Sequence, residues 1–333
     1  MAARGAEYWR GRKVFVTGGQ GMLGAWLIKE LLARGASVVA LLRAPNALSE
    51  LHRSGDVLRV SVVPGQIEDF AVLEQALGGH EVEVVFHLAA KGDVPAAHDS
   101  PLPTFESNIR GTYNVLEACR RAQPRVQRVM IASSDKAYGE QALPYTEQSP
   151  LIGLHPYTVS KSCSDLLAQA YFHTYRLPLA IVRCGNTFGG GDLNWGRIVP
   201  STIRAYLQGA RPIIRSDGRS LRDYVYVKDA VEAYLLIAEA LESARFHGEA
   251  FNISDERPIS VLDLVRTIQR LMNRESLAPE VRNTATGEIR DMYLCAAKAR
   301  EMLGWRARYS MEEGLRETIA WYARLAEASP SGA

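Results

Sequence analysis

KVFVTGGQGMLGAWLIKELL, at residues 13–32, has the pattern of a strand, a glycine-rich loop and a helix in direct succession. Gly18, Gly21 and Gly24 give the loop the spacing GxxGxxG. The first glycine permits a tight turn, the second lets backbone approach a pyrophosphate, and the third lets helix and strand pack closely. Free N–H groups and the helix dipole favour an anion at the start of the helix. The stretch therefore predicts a dinucleotide-binding loop.

Strands and helices alternate through the first half of the chain. Apolar runs predict four further strands and two helices, at residues 37–42, 58–63, 82–88 and 129–132 and at 70–77 and 104–121. This alternation is typical of an α/β fold, a Rossmann-type doubly wound parallel sheet. Asp69 is predicted to cap the helix that follows it. His87 is interpreted as a core-edge histidine with a satisfied hydrogen bond, not as a catalyst.

The pattern changes after residue 185, where glycine-rich loops and short elements predict a smaller α/β lobe. We expect a dinucleotide-binding Rossmann domain formed by residues 1–185 plus about 222–250. The substrate-binding lobe is expected to be discontinuous as well, formed by about 186–221 plus 251–330.

The end of the second predicted strand bears on the choice of cofactor. About twenty residues past the glycines, an NAD site usually offers a carboxylate to the adenine ribose. This chain has Leu42 and Arg43 there instead. A guanidinium suits a 2′-phosphate, which favours NADP over NAD. The alternative interpretation is that Arg43 stacks on adenine or faces solvent.

Composition narrows the function classes. The chain has 333 residues, of which 47% are hydrophobic and 23% charged, with a net charge of +2. No basic run indicates nucleic-acid binding, and no apolar run approaches the ~18 residues of a membrane span. The cysteines, at positions 119, 163, 184 and 295, have no metal-binding spacing. We expect free buried thiols, no metal, no membrane or nucleic-acid partner, and a cytoplasmic location.

Residues 131–161 contain two groups of reactive side chains. Tyr157 and Lys161, four residues apart, share one face of a predicted helix. A cation beside a phenol stabilises the phenolate and lowers the phenol pKa from about 10. Ser134, Asp135 and Lys136 place a hydroxyl, a carboxyl and an amine where an apolar strand opens into a loop. Two such groups behind a dinucleotide loop predict an active site.

Six motifs carry a family resemblance: GxxGxxG at 18–24, HLAA at 87–90, NxxGT at 108–112, SS followed by YG within 133–139, YxxxK at 157–161 and RDYVYV at 222–227. Together they resemble the extended short-chain dehydrogenase/reductases, and among them the NAD(P)-dependent nucleotide-sugar epimerases and dehydratases. The resemblance covers roughly residues 10–325. The Asp-Lys pair at 135–136 is similar to that of the CDP-glucose 4,6-dehydratase-like enzymes and of the UDP-N-acetylglucosamine dehydratases.

The resemblance implies an NDP-sugar 4,6-dehydratase that produces an NDP-4-keto-6-deoxyhexose. Tyr157 would take the proton of the sugar O4, Ser134 would hydrogen-bond that oxygen, and C4 would give hydride to the nicotinamide. Lys161 would lower the tyrosine pKa and hold the nicotinamide ribose. The C4 ketone acidifies the C5 proton, which Lys136 would take while Asp135 protonates the departing C6 hydroxyl. Both of these groups need perturbed pKa values. Hydride then returns to C6.

The resemblance also implies the binding residues. The cofactor, NADP or NAD, would be tightly bound and would contact Gly18, Gln20, Gly21, Met22, Leu23, Gly24, Arg43, Gln66, Ile67, Leu88, Ala89, Ala90, Tyr157 and Lys161. The nucleotide-sugar substrate would contact Lys91, Asn186, Arg197, Arg222 and Arg290. Family members pair through the helices that here span about 104–121 and 156–175, which predicts a homodimer.

Two other interpretations stay open. If Asp135 and Lys136 form only a surface ion pair, worth at most about 1 kcal/mol, the remaining set predicts a 4-epimerase or a related C4-oxidising enzyme. A non-catalytic NAD(P)-binding regulator is the third interpretation. Two departures from the family pattern lie near the site: Gln66 replaces an acid at the adenine contact, and Lys91 replaces a neutral residue near the sugar.

Overall fold

The computed structural model describes residues 5–284 and 289–328. Its strands are β1 (Lys13–Thr17), β2 (Ser37–Leu42), β3 (Ser61–Pro64), β4 (Val84–His87), β5 (Arg128–Ala132), β6 (Leu179–Cys184), β7 (Asn186–Phe188), β8 (Ile213–Ile214), β9 (Leu221–Arg222), β10 (Tyr224–Tyr226), β11 (Ala250–Ile253), β12 (Ile259–Ser260) and β13 (Glu280–Val281).

The helices are α1 (Gly5–Trp9), α2 (Met22–Ala33), α3 (Glu50–Arg53), α4 (Phe70–Gly79), α5 (Val94–Asp99), α6 (Leu102–Phe105), α7 (Gly111–Arg121), α8 (Pro156–Tyr175), α9 (Ile198–Leu207), α10 (Val227–Ala240), α11 (Val261–Leu271), α12 (Ala297–Leu303) and α13 (Met311–Glu327). A π-helical turn, Glu106–Arg110, joins α6 to α7. Short 3₁₀ turns cover Asp56–Arg59, Asp135–Tyr138 and Ala244–Phe246.

A seven-stranded parallel sheet organises the first domain, in the order β11-β6-β5-β4-β1-β2-β3. The chain runs outward from β1 to β3 and then returns to β4 on the other side of β1. The strand order therefore reverses between β1 and β4, and the loops at the carboxyl ends of these two strands border a crevice. Ligands of open α/β sheets bind at such a switch point. The predicted doubly wound fold is confirmed.

Helices cover both faces of this sheet because successive strand residues point to opposite sides. Within β1, Val14 and Val16 pack into the core beneath α2 and α10. Phe15, between them, packs into the core beneath α4, α7 and α8. The strands are buried on both faces, which explains their continuous apolar sequences.

A smaller lobe stands beside the sheet. Its short strands pair as β7 with β10, β8 with β13 and β9 with β12, and its core holds Ile203, Leu264 and Leu315 from α9, α11 and α13. The Trp321 indole donates a 2.7 Å hydrogen bond to Glu50 Oε2 in α3. This buried bond ties the last helix of the lobe to the first domain.

The third predicted strand is wrong in its first half, since residues 56–59 form a 3₁₀ turn. Gly55 has φ +77° there, and Asp56 accepts hydrogen bonds from Ser54 and Arg59. These local bonds turn the chain and leave Leu58 exposed. Asp69 caps α4 as predicted, because its carboxylate accepts from the amides of residues 71 and 72.

The domain boundaries stay predictions. Strand β11 lies in the large sheet and runs three residues past the boundary expected at about residue 250. Across residues 5–284 and 289–328, none of the helices combines the length and the apolar character that a membrane crossing requires.

Candidate active site

The loops that follow β1 and β4 meet at the switch point. Gly18 has φ +76°, and a Cβ atom there would lie 2.7 Å from the amide nitrogen of Ala89. A Cβ atom at Gly24 would lie 2.2 Å from the Gly18 carbonyl oxygen. Only glycine fits at either position. The first and third glycine therefore make the tight turn and the close packing that the spacing predicted.

The start of α2 suits a pyrophosphate. Its N-cap residue is Gly21, which has no side chain to bond the first-turn amides of Met22, Leu23 and Gly24. Uncapped amides at the positive end of a twelve-residue helix attract an anion. The donor set and the glycine contacts thus fit the diphosphate of NAD or NADP.

The part of the glycine loop expected to lie beside adenine is exposed. The Gln20 amide donates a 2.9 Å hydrogen bond to the carbonyl of Ala44, which brings the glycine loop beside Arg43 at the end of β2. Arg43 and Gln66 are exposed, whereas Ile67 is buried and its carbonyl accepts a bond from the Asn114 amide. The Gly65 amide donates a 3.0 Å hydrogen bond to the Leu42 carbonyl, so Gln66 and Ile67 follow β3 close to where Arg43 follows β2.

His87 is a structural residue. It is buried at the end of β4, where its two ring nitrogens lie 2.9 Å from the Thr17 hydroxyl and 3.1 Å from the Thr112 hydroxyl. Burial lowers the pKa of His87 to about 3, so the ring is neutral. Thr17 Oγ1 also accepts the Ala89 amide at 3.2 Å. The predicted satisfied hydrogen bonding of His87 is confirmed, and its non-catalytic role stays a prediction.

Helix α8 carries the predicted tyrosine and lysine. His155 is its N-cap, with Nδ1 accepting the Tyr157 amide at 3.3 Å, and Pro156 occupies the first position. Tyr157 and Lys161 are both buried. The Lys161 ammonium donates a 2.8 Å hydrogen bond to the carbonyl of Ala132 at the end of β5. Burial lowers the pKa of Lys161 to about 8.

The charge that changes the pKa of Tyr157 most is carried by Arg197, a residue of the smaller lobe. Burial raises the pKa of the Tyr157 phenol, and the largest opposing influence is the Arg197 guanidinium, with a smaller one from a hydrogen bond with Ser134. Arg197 is the N-cap of α9 and pairs with Asp192 at 3.1 Å. The sequence pattern predicted that Lys161 would lower the pKa of this phenol. Arg197 could not be found by helical spacing, since it is forty residues from Tyr157 along the chain.

Ser134, Asp135 and Lys136 form one hydrogen-bonded group at the end of β5. Asp135 Oδ1 accepts from the Ser134 hydroxyl at 2.8 Å and from the Lys136 ammonium at 3.0 Å. The Asp135 side chain is 0% exposed, and its second oxygen has no hydrogen-bond partner within the described ranges. Lys136 also donates to the side-chain oxygen of Asn186 at 2.8 Å. Because Asp135 is buried and Lys136 is only 23% exposed, this is not a pair on the open surface.

Two further carboxylates, neither of them among the predicted site residues, are buried. Asp165, one turn after Lys161, binds the Arg183 guanidinium through two hydrogen bonds, and Arg183 also donates to the Tyr138 hydroxyl at 2.9 Å. Asp223 is buried, and burial raises its pKa to about 7. Asp223 is recognisable from sequence only as part of the RDYVYV motif, and no spacing predicts that either acid is buried.

The predicted substrate-binding residues differ in their exposure and in their hydrogen-bond partners. Arg222 donates to the backbone carbonyls of Leu221, Ile289 and Arg290. Arg290 is exposed, and so is Lys91, whose backbone amide and carbonyl both bond the Asn108 side chain. Asn186 and Arg197 lie in the crevice with Lys136 and Tyr157, as described above. No three His, Cys, Asp or Glu side chains of the described segments form a group suited to a metal ion.

Known proteins share this architecture. Residues 14–254 match the NAD dependent epimerase/dehydratase family, and the chain belongs to that family, as its motifs predicted. A CDP-glucose 4,6-dehydratase of Salmonella typhimurium is 31% identical, over 95% of this chain and 92% of that relative. A dTDP-glucose 4,6-dehydratase of Xanthomonas campestris is also 31% identical, over 92% of each chain.

Two solved structures show the same likeness. A dTDP-glucose 4,6-dehydratase from Streptomyces venezuelae with NAD bound is 28% identical, with a TM-score of 0.85 over 95% of this chain and 98% of that one. A UDP-glucose 4-epimerase from Thermotoga maritima with UDP-glucose is also 28% identical, with a TM-score of 0.85 over 94% and 99%. Fold similarity therefore does not separate the two reactions.

Proposed function

We propose that this chain is an NDP-sugar 4,6-dehydratase. It oxidises C4 of the hexose, eliminates water across C5 and C6, and returns hydride to C6 to give an NDP-4-keto-6-deoxyhexose. The observation that carries the proposal is the buried Asp135, which bridges Ser134 and Lys136 and keeps one carboxylate oxygen free. A 4-epimerase has no step that uses this acid and amine.

The nicotinamide, when bound, supplies the hydride acceptor for C4 and the hydride donor for C6. Tyr157 takes the proton of the sugar O4, and Ser134 orients that oxygen. The positive charge of Arg197 stabilises the phenolate across the crevice, and Lys161, one turn along the helix, is assigned to the nicotinamide ribose. Lys161 is held by the Ala132 carbonyl, which fixes it at the end of β5 beside Ser133 and Ser134.

The C4 ketone makes the C5 proton acidic, and Lys136 in its neutral form takes that proton. Asp135 in its acid form gives a proton to the departing C6 hydroxyl. The 3.0 Å hydrogen bond between the two groups supports this division of roles, because moving one proton from the ammonium to the carboxylate creates the base and the acid together.

The nucleotide end of the substrate is assigned to the lobe. Asn186 and Arg222 match the family positions that bind diphosphate, and an arginine fork suits that group. Arg197 and Lys91 are assigned to the sugar side of the crevice, and Arg290 to its outer rim. For the cofactor, NADP is favoured over NAD because Arg43 is exposed at the end of β2 and Gln20 holds the adjoining loop.

The chain is proposed to act as a cytoplasmic homodimer. Large apolar side chains are exposed on α6, α7 and α8, namely Leu102, Tyr113, Leu166 and Tyr175. Four exposed residues of this kind on neighbouring helices support a helix-bundle interface with a second copy.

A panel of NDP-hexoses tests the reaction. The purified chain, supplied with NAD or NADP, is incubated with each substrate and the products are analysed by mass spectrometry. The loss of one water is expected for at least one substrate, whereas an isobaric product would establish the epimerase instead. Asp135→Asn should stop water loss and still permit substrate-dependent cofactor reduction. Normal dehydration by that variant would refute the role of Asp135.

A further inference from the structure

We infer that Asn186 is a positioning residue for Lys136, and that its side-chain oxygen fixes the direction in which the neutral amine presents its lone pair. The inference rests on the proposed dehydratase function and deepens it. It gives Asn186 a second task beside the diphosphate contact proposed above. The two tasks use the two different polar atoms of one amide side chain.

Neighbouring strands bring Lys136 and Asn186 together. Strands β5 and β6 are parallel neighbours in the large sheet, so their carboxyl ends meet at one edge. Lys136 follows β5, and Asn186 begins β7 directly after β6. The Asn186 amide donates a 2.8 Å hydrogen bond to the Asp223 carbonyl, and Asn186 pairs with Tyr224 in β10. Strand pairing therefore holds the backbone from which the Asn186 side chain extends, as a positioning residue requires.

Two printed contacts fix the Lys136 nitrogen. Nζ donates at 2.8 Å to Asn186 Oδ1 and at 3.0 Å to Asp135 Oδ1. A lysine nitrogen donates only, so the Asn186 atom that faces it is the oxygen and not the NH2 group. Within the described ranges, neither that NH2 group nor a third N–H of Lys136 has a hydrogen-bond partner. One N–H direction of Lys136 and one end of Asn186 are thus left for substrate.

The tetrahedral shape of the lysine nitrogen turns these contacts into a direction. Its bond to Cε and its two hydrogen bonds determine where the fourth position points. In the neutral amine, two positions hold hydrogens and one holds the lone pair. An amide oxygen accepts and does not donate, so the position that faces Asn186 keeps its hydrogen. The lone pair then faces either Asp135 or the direction that has no protein partner.

Elimination uses both of these orientations. After Lys136 has given a proton to Asp135, rotation about the Cε–Nζ bond turns the lone pair to the direction without a protein partner, where it takes the C5 proton. The C5–H bond breaks, and its proton forms the third N–H bond of Lys136. The electron pair forms the C5–C6 double bond as the C6–O bond breaks, and the Asp135 proton leaves with that oxygen as water. Oxidation at C4 does not use the Lys136–Asn186 contact.

The test is a single turnover at saturating substrate, followed by the absorbance of the reduced nicotinamide. The absorbance rises as C4 is oxidised and falls when hydride returns to C6 after elimination. Asn186→Leu removes the acceptor at similar volume. It should leave the rise nearly unchanged and slow the fall by about 100-fold, the lower range for a positioned proton transfer. Deuterium at C5 of the substrate should slow the fall further in this variant, because removal of the C5 proton then limits it.

Asn186→Asp is the conservative variant, since it keeps an oxygen acceptor and adds a negative charge. A carboxylate beside Lys136 favours the ammonium over the amine. The fall should therefore reach the wild-type rate only at higher pH, with a shift of about one to three pH units. Asn186→Leu should stay slow at every pH. Since it preserves the volume and polarity of residue 186, Asn186→Asp also decides the question if Asn186→Leu does not fold.

Thr187→Val is the matched control in the same strand. It removes a half-buried hydroxyl that contacts the Cys184 thiol and the Gly185 carbonyl, and it should give the wild-type trace.

Equal slowing of the rise and the fall in Asn186→Leu, or a change in KM alone, would overturn the inference and leave Asn186 as a substrate contact only. A pH profile of Asn186→Asp that superimposes on the wild-type profile would overturn it as well. Failure of the proposed function is seen separately, as a wild-type product that has lost no water.

Discussion

The Asp165 carboxylate binds the Arg183 guanidinium through two hydrogen bonds of 2.8 and 2.9 Å, and both side chains are buried. The pair joins the catalytic helix α8 to strand β6. Asp165 also raises the pKa of Lys161 against the larger lowering by burial. The interaction therefore positions the helix that carries Tyr157 and supports the charge of its lysine.

Asp165→Asn should destabilise the protein by about 3–5 kcal/mol, because it leaves the Arg183 charge buried without its partner. Urea unfolding measures the change. Glu74→Gln is the matched control, since the Arg121–Glu74 pair is about half exposed and is expected to contribute much less to the free energy of unfolding. Similar losses in both variants would show that burial does not strengthen the Asp165–Arg183 pair.

Lys136→Met should separate oxidation from elimination. The substitution removes the amine that takes the C5 proton but leaves Ser134, Tyr157 and Lys161 in place. Substrate-dependent reduction of the cofactor should persist, while product formation falls by about 10²–10⁴-fold. Deuterium incorporation at C5 in heavy water should stop as well. Lys228→Met, which alters an ion pair with Glu317 outside the site, should retain both activities.

Arg197→Ala should move the acid limb of the pH–rate profile to higher pH. The phenolate of Tyr157 is the base, so kcat/KM rises as the pH passes its pKa. The Arg197 charge lowers that pKa, and its removal raises it. Arg197→Lys keeps a positive charge and should shift the limb less. A profile that falls uniformly, with the limb in its original place, would mean that Arg197 acts in binding alone.

Arg43→Ala should reduce NADP affinity by about tenfold or more and leave NAD affinity nearly unchanged, because only NADP carries the 2′-phosphate that a guanidinium binds. Dissociation constants for the cofactor-free protein can be obtained by isothermal titration calorimetry. Arg125→Ala, an exposed arginine that bonds the Gly78 carbonyl, provides the charge-matched control. Equal losses for NADP and NAD would indicate that Arg43 stacks on adenine.

Gly24→Ala should abolish tight cofactor binding, since the added methyl group would lie 2.2 Å from the Gly18 carbonyl oxygen and push the glycine loop away. Gly79→Ala is the control: the added Cβ meets nothing within 4 Å, and alanine should stabilise the end of α4 by up to about 1 kcal/mol. Cofactor retained through gel filtration distinguishes the variants. Retention by Gly24→Ala would show that the loop tolerates a shift.

Sequence patterns located the elements whose burial is periodic or continuous. The run at 37–42 matches β2 to the residue, because a continuous apolar run is a strong local signal. The helix that the family resemblance placed at about 156–175 matches α8. The strand predicted from residue 58 failed because side-chain hydrogen bonds to Asp56 stabilise a turn that an apolar pattern does not reveal.

The candidate site was predictable only as a list of chemical groups. Spacing placed Tyr157 beside Lys161, and adjacency placed Ser134 beside Asp135. The contact of Lys136 with Asn186 and the effect of Arg197 on Tyr157 join residues forty or more positions apart. Such pairs depend on how the lobe packs on the sheet, and local sequence patterns do not predict that packing.

Strand β11 also has a consequence for biosynthesis. Its partner β6 is complete at Cys184, but β11 begins only at Ala250. A ribosome adds about 5–20 residues per second, so the outer edge of β6 stays unpaired for several seconds until β11 is synthesised. An unpaired apolar edge invites pairing with another nascent chain. Premature termination between these two strands would therefore yield an aggregating fragment and not a minimal cofactor-binding domain.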